Sequence, residues 1–216
     1  LIQSFFVDDD LRDELRLDAV VTLVDLRHVQ QHWEADEVQE QLAFADVLLL
    51  NKVDLVDEAE RAAIEQRVRA INPMARLLTS TRADVPMQQI LGVEAFELER
   101  ALSLDPGFLA DDHDHDHDDA VGSLALVEER PMDLDKLGSW LSDLVAERGP
   151  DLFRMKGIIQ LAGKDARYVF QSVHMLLEGD FDRPWKPGER RRTEFVIIGR
   201  NLDAVGLRAG FAACVA

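Results

Sequence analysis

The 216 residues carry 42 Asp and Glu against 24 Lys and Arg, a net charge of −18 with a pI near 4.6, which excludes the basic footprint that general nucleic-acid binding needs. Hydrophobic residues at 47% and charged residues at 31% are ordinary for a globular protein. No apolar run reaches membrane-span length and the first residues lack a signal pattern, while the single cysteine, Cys214, excludes an intrachain disulfide or a cysteine-built zinc cluster and suits a reducing cytoplasm.

Leu1-Ile-Gln-Ser-Phe-Phe6 reads as the middle of a helix and not as a natural start, so a fragment of a longer protein is expected. Ala19 to Asp25 is nearly continuous apolar, as in a parallel strand buried on both faces. Val29 to Phe44 is polar with apolar residues at Trp33, Val38 and Leu42 and predicts a surface helix. Val47 to Leu50 is the next strand. Glu58 to Ile71 is a helix with Asp57 as its N-cap. Ala75 to Ser80 is a third strand, and Val85 to Leu91 a short helix after Pro86. This alternation predicts a mostly parallel α/β sheet over residues 1–104, whose ligands sit at the carboxyl ends of the strands. Residues 105–120, with Asp105-Pro-Gly107 and the run Asp111 to Asp119, have like charges and no apolar material to pack, and predict a disordered linker.

Residues 121–216 predict a second, α+β unit. Ser123 to Glu129 is a strand and Leu134 to Arg148 a helix stopped by Gly149-Pro150. Phe153 to Ala162 and Arg167 to Leu177 are strands of a hairpin turning at Gly163-Lys-Asp165. Thr193 to Gly199 is a further strand and Leu202 to Val215 a closing helix. The order β-α-β-β-β-α suggests an antiparallel sheet backed by helices.

Chemistry concentrates in two places. Asn51-Lys52-Val53-Asp54 spells N-K-x-D directly after a buried strand and before a helix, the pattern by which P-loop GTPases select guanine. Asp54 would accept the guanine N1–H and N2–H₂ donors, which adenine does not offer. Asn51 would brace the loop, and the aliphatic stem of Lys52 would lie along the base. Ser80 ends the following strand, where a Ser or Thr loop can present backbone N–H groups to the guanine O6. The alternative for both segments is a strand end followed by a polar turn. Asp25 resembles a magnesium-holding Asp, but Leu26-Arg27-His28 is not the expected D-x-x-G turn, so a structural or nucleotide-adjacent role is favoured and no metal is assigned. No G-x-x-x-x-G-K-[ST] occurs in the chain. These residues by themselves are therefore expected to bind GTP weakly or not at all and not to hydrolyse it.

The second place is the alternation His113, His115, His117 among aspartates. Neutral imidazoles bind Zn²⁺, Co²⁺ or Ni²⁺, and flanking carboxylates concentrate cations and raise ligand basicity. A flexible segment pays ordering entropy on binding, which favours capture and release over a fixed site. The alternative is a solvated acidic linker. His174 and Cys214 read mainly as structural residues, and Arg190-Arg-Arg192 as a solvated turn or a contact to the linker or to the first unit.

Asn51-Lys-Val-Asp54, the His/Asp run, Arg154-Met-Lys-Gly-Ile158, Val169-Phe-Gln-Ser-Val-His174, Trp185 and Ile197-Ile-Gly-Arg-Asn-Leu-Asp203 together resemble the CobW-like family of P-loop GTPases, over essentially the whole chain. The family acts in metal-centre and cobalamin assembly or as zinc metallochaperones. The resemblance implies GTP, with Mg²⁺ in the full-length protein, as cofactor, and Zn²⁺ or Co²⁺ as cargo. It implies a client metalloprotein or metal-insertion complex as partner, a cytoplasmic setting, no membrane and no nucleic acid; a homo-oligomer is left open. It also implies a phosphate-binding loop, a C-x-C-C metal motif and an acidic switch segment upstream of Leu1. No catalytic residue is therefore assignable; Asn51, Lys52, Asp54 and Ser80 carry over as nucleotide-binding residues and His113, His115 and His117 as auxiliary metal ligands. The competing reading is a non-enzymatic metal-buffering or adaptor module.

Overall fold

The computed structural model describes residues 18–92, 121–173 and 176–216. Three parallel strands, β1 (Val21–Asp25), β2 (Val47–Asn51) and β3 (Arg76–Ser80), form a sheet in the order β1-β2-β3. All five residues of β2 are buried, so its unbroken Val-Leu-Leu-Leu run is explained by packing on both faces. Helices α1 (Asp36–Phe44) and α2 (Glu58–Ile71) connect the strands. Asp57 caps α2 as its sequence position predicts, accepting the Glu60 N–H at 2.8 Å. Buried Asn72 ties the end of α2 to the end of α1: its Nδ2 donates to the Leu42, Ala43 and Ala45 carbonyls at 2.8, 3.1 and 2.9 Å.

Two expected helices are shorter than the sequence pattern suggests. Val29 to Phe44 is broken into a 3₁₀ turn over Val29–His32 and α1, because Ala35 is extended and Trp33 is drawn into the core at 6% exposure. Arg67 lies over the Trp33 ring, 4.1 Å from its centroid. After Pro86 the chain makes only a 3₁₀ turn over Met87–Gln89.

The second sheet is antiparallel, with strands β4 (Val121–Glu128), β5 (Leu152–Ile159), β6 (Ala166–Val173), β7 (Leu176–Pro184) and β8 (Thr193–Arg200) in the order β4-β8-β5-β6-β7. Helices α3 (Leu134–Arg148) and α4 (Ala204–Ala213) flank it, capped by Asp133 and Asp203. The segment expected as one strand, Arg167 to Leu177, belongs to two, and β7 is a strand that the sequence pattern does not reveal. Leu-Leu-Glu-Gly-Asp-Phe-Asp has weak strand propensity; pairing with β6, with Phe181 opposite Tyr168 and Glu178 opposite Gln171, overrides it. Gly157, at the centre of β5, is required by the neighbouring strand, since a Cβ there would overlap the Phe195 ring.

β8 carries Phe195, Val196, Ile197 and Ile198, all fully buried, because each face of the sheet is covered. On one face α3 and α4 bring Leu137, Leu141, Leu207 and Phe211 against Met155, Phe195 and Ile197. On the other, Phe153, Ile158, Val196 and Ile198 share one core with Leu42, Ala43, Ile64, Val68 and Ile71 of the parallel unit. The two units are therefore fused through α1 and α2.

A buried charge cluster closes this seam. Asp46, immediately before β2, accepts Val20 N–H at 2.9 Å and the Lys156 ammonium at 2.6 Å, and is bonded to the Arg154 guanidinium, which also donates to the Phe44 carbonyl. Arg154 and Lys156, two apart on β5, project from the same face of their strand. Their residues are 3% and 6% exposed. Burial opposes the charge on Asp46, but Arg154 and Lys156 hold its carboxyl below the ordinary carboxylate range. Burial, reinforced by neighbouring Arg154 and offset in part by Asp46, pushes Lys156 down to about 8.

Replacing Asp46 by Ala strands two cations in the seam and is expected to cost about 3–5 kcal/mol in urea denaturation. Replacing Glu129, whose pair with Arg190 lies in solvent, should cost under about 1 kcal/mol. Lys156 also sets a pH dependence. It loses its proton near 8 in the folded protein and near its ordinary value of 10.5 when unfolded, so the unfolded chain binds more protons between those values and the folded state gains stability as pH rises through them. Wild-type protein should accordingly gain stability relative to Lys156→Met between pH 8 and about 10.5, read by urea denaturation at each pH.

Candidate functional site

The parallel register sets the last residues of the three strands side by side: Asp25 is opposite Asn51, and Asn51 opposite Ser80. All three stand at the carboxyl edge of the sheet, where ligands of such sheets bind. Asn51 is 8% and Ser80 4% exposed. Asn51 Oδ1 accepts the Ser80 hydroxyl at 3.0 Å and the Ala83 N–H at 2.9 Å. Asn51 thus braces the loop that follows β3, and Ser80 faces inward to Asn51 as its partner.

That loop needs bracing. Arg82 and Ala83 take φ of 55° and 57°, left-handed values in residues that carry a Cβ, each costing roughly 1 kcal/mol or more. Asp84 N–H closes the turn on the Thr81 carbonyl at 3.1 Å. Lys52 is left-handed too, with φ 66° and ψ 37°, so the chain turns sharply out of β2 into a 3₁₀ turn over Val53–Leu55, closed by Leu55 N–H to the Lys52 carbonyl at 3.0 Å. Val53 and Val56 pack into the core, which leaves Asp54 exposed between them. No hydrogen bond from the described residues reaches its carboxylate.

Asp25 is engaged at both oxygens. Oδ1 accepts the Arg27 N–H at 3.0 Å; Oδ2 receives the Lys52 ammonium at 2.7 Å and His28 Nδ1 at 2.9 Å. Partial burial works against its charge, but the Lys52 and His28 hydrogen bonds prevail and lower its pKa to about 2. An ionised carboxylate only accepts, so His28 donates through Nδ1–H.

His113, His115, His117 and His174 lie outside the described residues, as does the proposed linker of residues 105–120. Among the described residues no group of three or more His, Cys, Asp or Glu is arranged to hold a metal. Cys214 is buried, with its thiol directed at the Gly210 carbonyl at 3.3 Å, and burial pushes its pKa up. Arg190, Arg191 and Arg192 pair with Glu129, Asp165 and Glu194, all from the antiparallel unit. Two features escape the sequence reading: the link from Asp25 to Lys52, and the use of Arg154 and Lys156 against Asp46. Two cations at strand period within an otherwise apolar strand were the available signal for the second.

Residues 1–79 match the family model described as the CobW/HypB/UreG nucleotide-binding domain, and residues 121–215 that of the cobalamin synthesis protein cobW C-terminal domain. The zinc chaperone YjiA of Escherichia coli is 31% identical over 216 residues, spanning 98% of this chain and 65% of that protein. The zinc chaperone CobW of a Sinorhizobium species is 27% identical, spanning 95% of this chain and 65% of its own length. The chain thus spans a little under two thirds of the length of these two relatives. The crystal structure of Zn(II)-bound YjiA GTPase from Escherichia coli superposes with a TM-score of 0.81 at 30% identity, over 100% of this chain and 66% of that one. No helix among the described residues is long and apolar enough to cross a membrane. With both of its units matched in order and the fold shared, the chain belongs to the CobW family.

Proposed function

We propose that these residues form the guanine-recognising and client-side portion of a GTP-dependent metallochaperone of the cytoplasm, with zinc as the cargo. The observation that carries the reading is the exposed Asp54 carboxylate, held on a tight turn at the carboxyl edge of the sheet, with no hydrogen bond from the described residues. A purine edge offering two adjacent N–H donors satisfies such an acceptor pair, and guanine has that edge. Asn51 is committed to Ser80 and Ala83, so it shapes the site instead of reading the base, and the backbone of the loop after Ser80 is the part available to the O6 oxygen. GTP, with Mg²⁺ when the phosphate-binding elements of the full-length protein are present, supplies a hydrolysable bond. The residues described here contribute base selection, and no catalytic residue is assigned to them.

The metal side of the proposal rests on composition and on relatives. His113, His115 and His117, interleaved with aspartate, have the donor chemistry for a borderline-soft divalent cation; Zn²⁺ is favoured over Co²⁺ because the similar proteins are named as zinc chaperones. The recipient is a client metalloprotein, met by a chain whose strong negative charge favours a basic or cationic surface.

In the full-length protein Asp54→Asn exchanges one acceptor for a donor. It is expected to move nucleotide preference from guanine to xanthine, which presents an oxygen at the 2-position; a guanine preference left at the wild-type ratio removes Asp54 from base recognition. Triple replacement of His113, His115 and His117 by Ala should abolish the heat of Zn²⁺ binding assigned to this segment in calorimetric titration, and unchanged heats would refute the histidine site.

A further inference from the structure

We propose that Asp25 is a positioning residue for nucleotide binding: it tethers the Lys52 ammonium so that the aliphatic stem of Lys52 is set as a platform for one face of the purine. The inference rests on the base-site reading above and adds a residue from a different strand to it. Register makes the pair: Asp25 ends β1 directly opposite Asn51 at the end of β2, and the Leu26 N–H bonds the Asn51 carbonyl at 3.1 Å. The left-handed backbone at Lys52, φ 66° and ψ 37°, turns the chain sharply at the strand end, and its ammonium lies 2.7 Å from Asp25 Oδ2.

The carboxylate is itself held before any ligand arrives. Oδ1 accepts the Arg27 N–H, and Oδ2 is shared by Lys52 and His28. A lysine on a free four-carbon stem loses rotamer freedom when a base stacks on it. One whose head is already bound has surrendered that freedom in the unliganded state, so the stacking partner gains the difference. The pair is half in solvent, with side chains 39% and 35% exposed, and a pair of that kind contributes little to folding. Its consequence therefore falls on binding.

The test is a double-mutant cycle in the full-length protein, read by titration with fluorescent N-methylanthraniloyl-GDP and the corresponding inosine nucleotide. Asp25→Asn keeps the acceptor for Arg27 N–H and removes the charge; it is expected to weaken both nucleotides by the same factor, about tenfold, while shifting the thermal midpoint by less than about 3 °C. Lys52→Met keeps an apolar stem without the ammonium, and adding Asp25→Asn to it should change affinity no further. Independent, additive losses would overturn the proposal, as would an undiminished affinity in Asp25→Asn. A changed ratio between the guanine and inosine nucleotides would also overturn it, because the tether acts on the face of the base and not on its edge. Failure of the base-site reading is seen separately, as retention of guanine preference in Asp54→Asn.

Discussion

One carboxylate joins the two halves of this molecule. Asp46 stands at the head of β2, bonds the Val20 N–H of the segment entering β1, and receives Arg154 and Lys156 from the antiparallel sheet. Around it, Phe153, Ile158, Val196 and Ile198 pack onto residues of α1 and α2. Apolar contact is non-directional and would hold the two layers together in more than one orientation. The fork of Arg154, reaching both the Phe44 carbonyl and Asp46, selects one orientation because a buried donor without its acceptor is expensive.

This seam and the candidate nucleotide site lie at opposite ends of one strand. β2 is five residues long and buried throughout, so Asp46 and Asn51 are separated by roughly 17 Å of chain that is packed on both faces. The site end is assembled in the same way, by strand ends brought level: Asp25, Asn51 and Ser80 are adjacent through register, and their side chains then form two separate pairings. Asn51 holds the Ser80 to Ala83 loop in its strained turn, and Asp25 holds Lys52. Asp54 is left exposed, without a partner among the described residues. Fixed supports around an unsatisfied acceptor are the arrangement that the proposed base site requires.

The unequal legibility of the elements has a physical basis. β2 and β8 were readable because strands buried on both faces spell continuous apolar runs, α2 because period and N-cap agree, and α3 because Gly149-Pro150 marks its end. β7 was not, since its Glu-Gly-Asp-Phe-Asp sequence acquires strand geometry only from pairing with β6. The expected helix over Val29 to Phe44 failed for a related reason: Trp33 supplied an apolar position in the periodic pattern, but it is buried in a turn and not along the helix face.

From the residues alone came the α/β and α+β division, the resemblance to the CobW family and the proposed base-recognition segment, because burial on two faces and a four-residue contact pattern are written in local sequence. What the tertiary structure decided is which distant residues become neighbours. Asp25 meets Lys52 and Ser80 meets Asn51 through parallel register, and Asp46 meets Arg154 and Lys156 across the seam between sheets. Such pairings depend on strand order and layer packing, which no local pattern encodes; in this chain the first two stand at the candidate site and the third joins the two sheets.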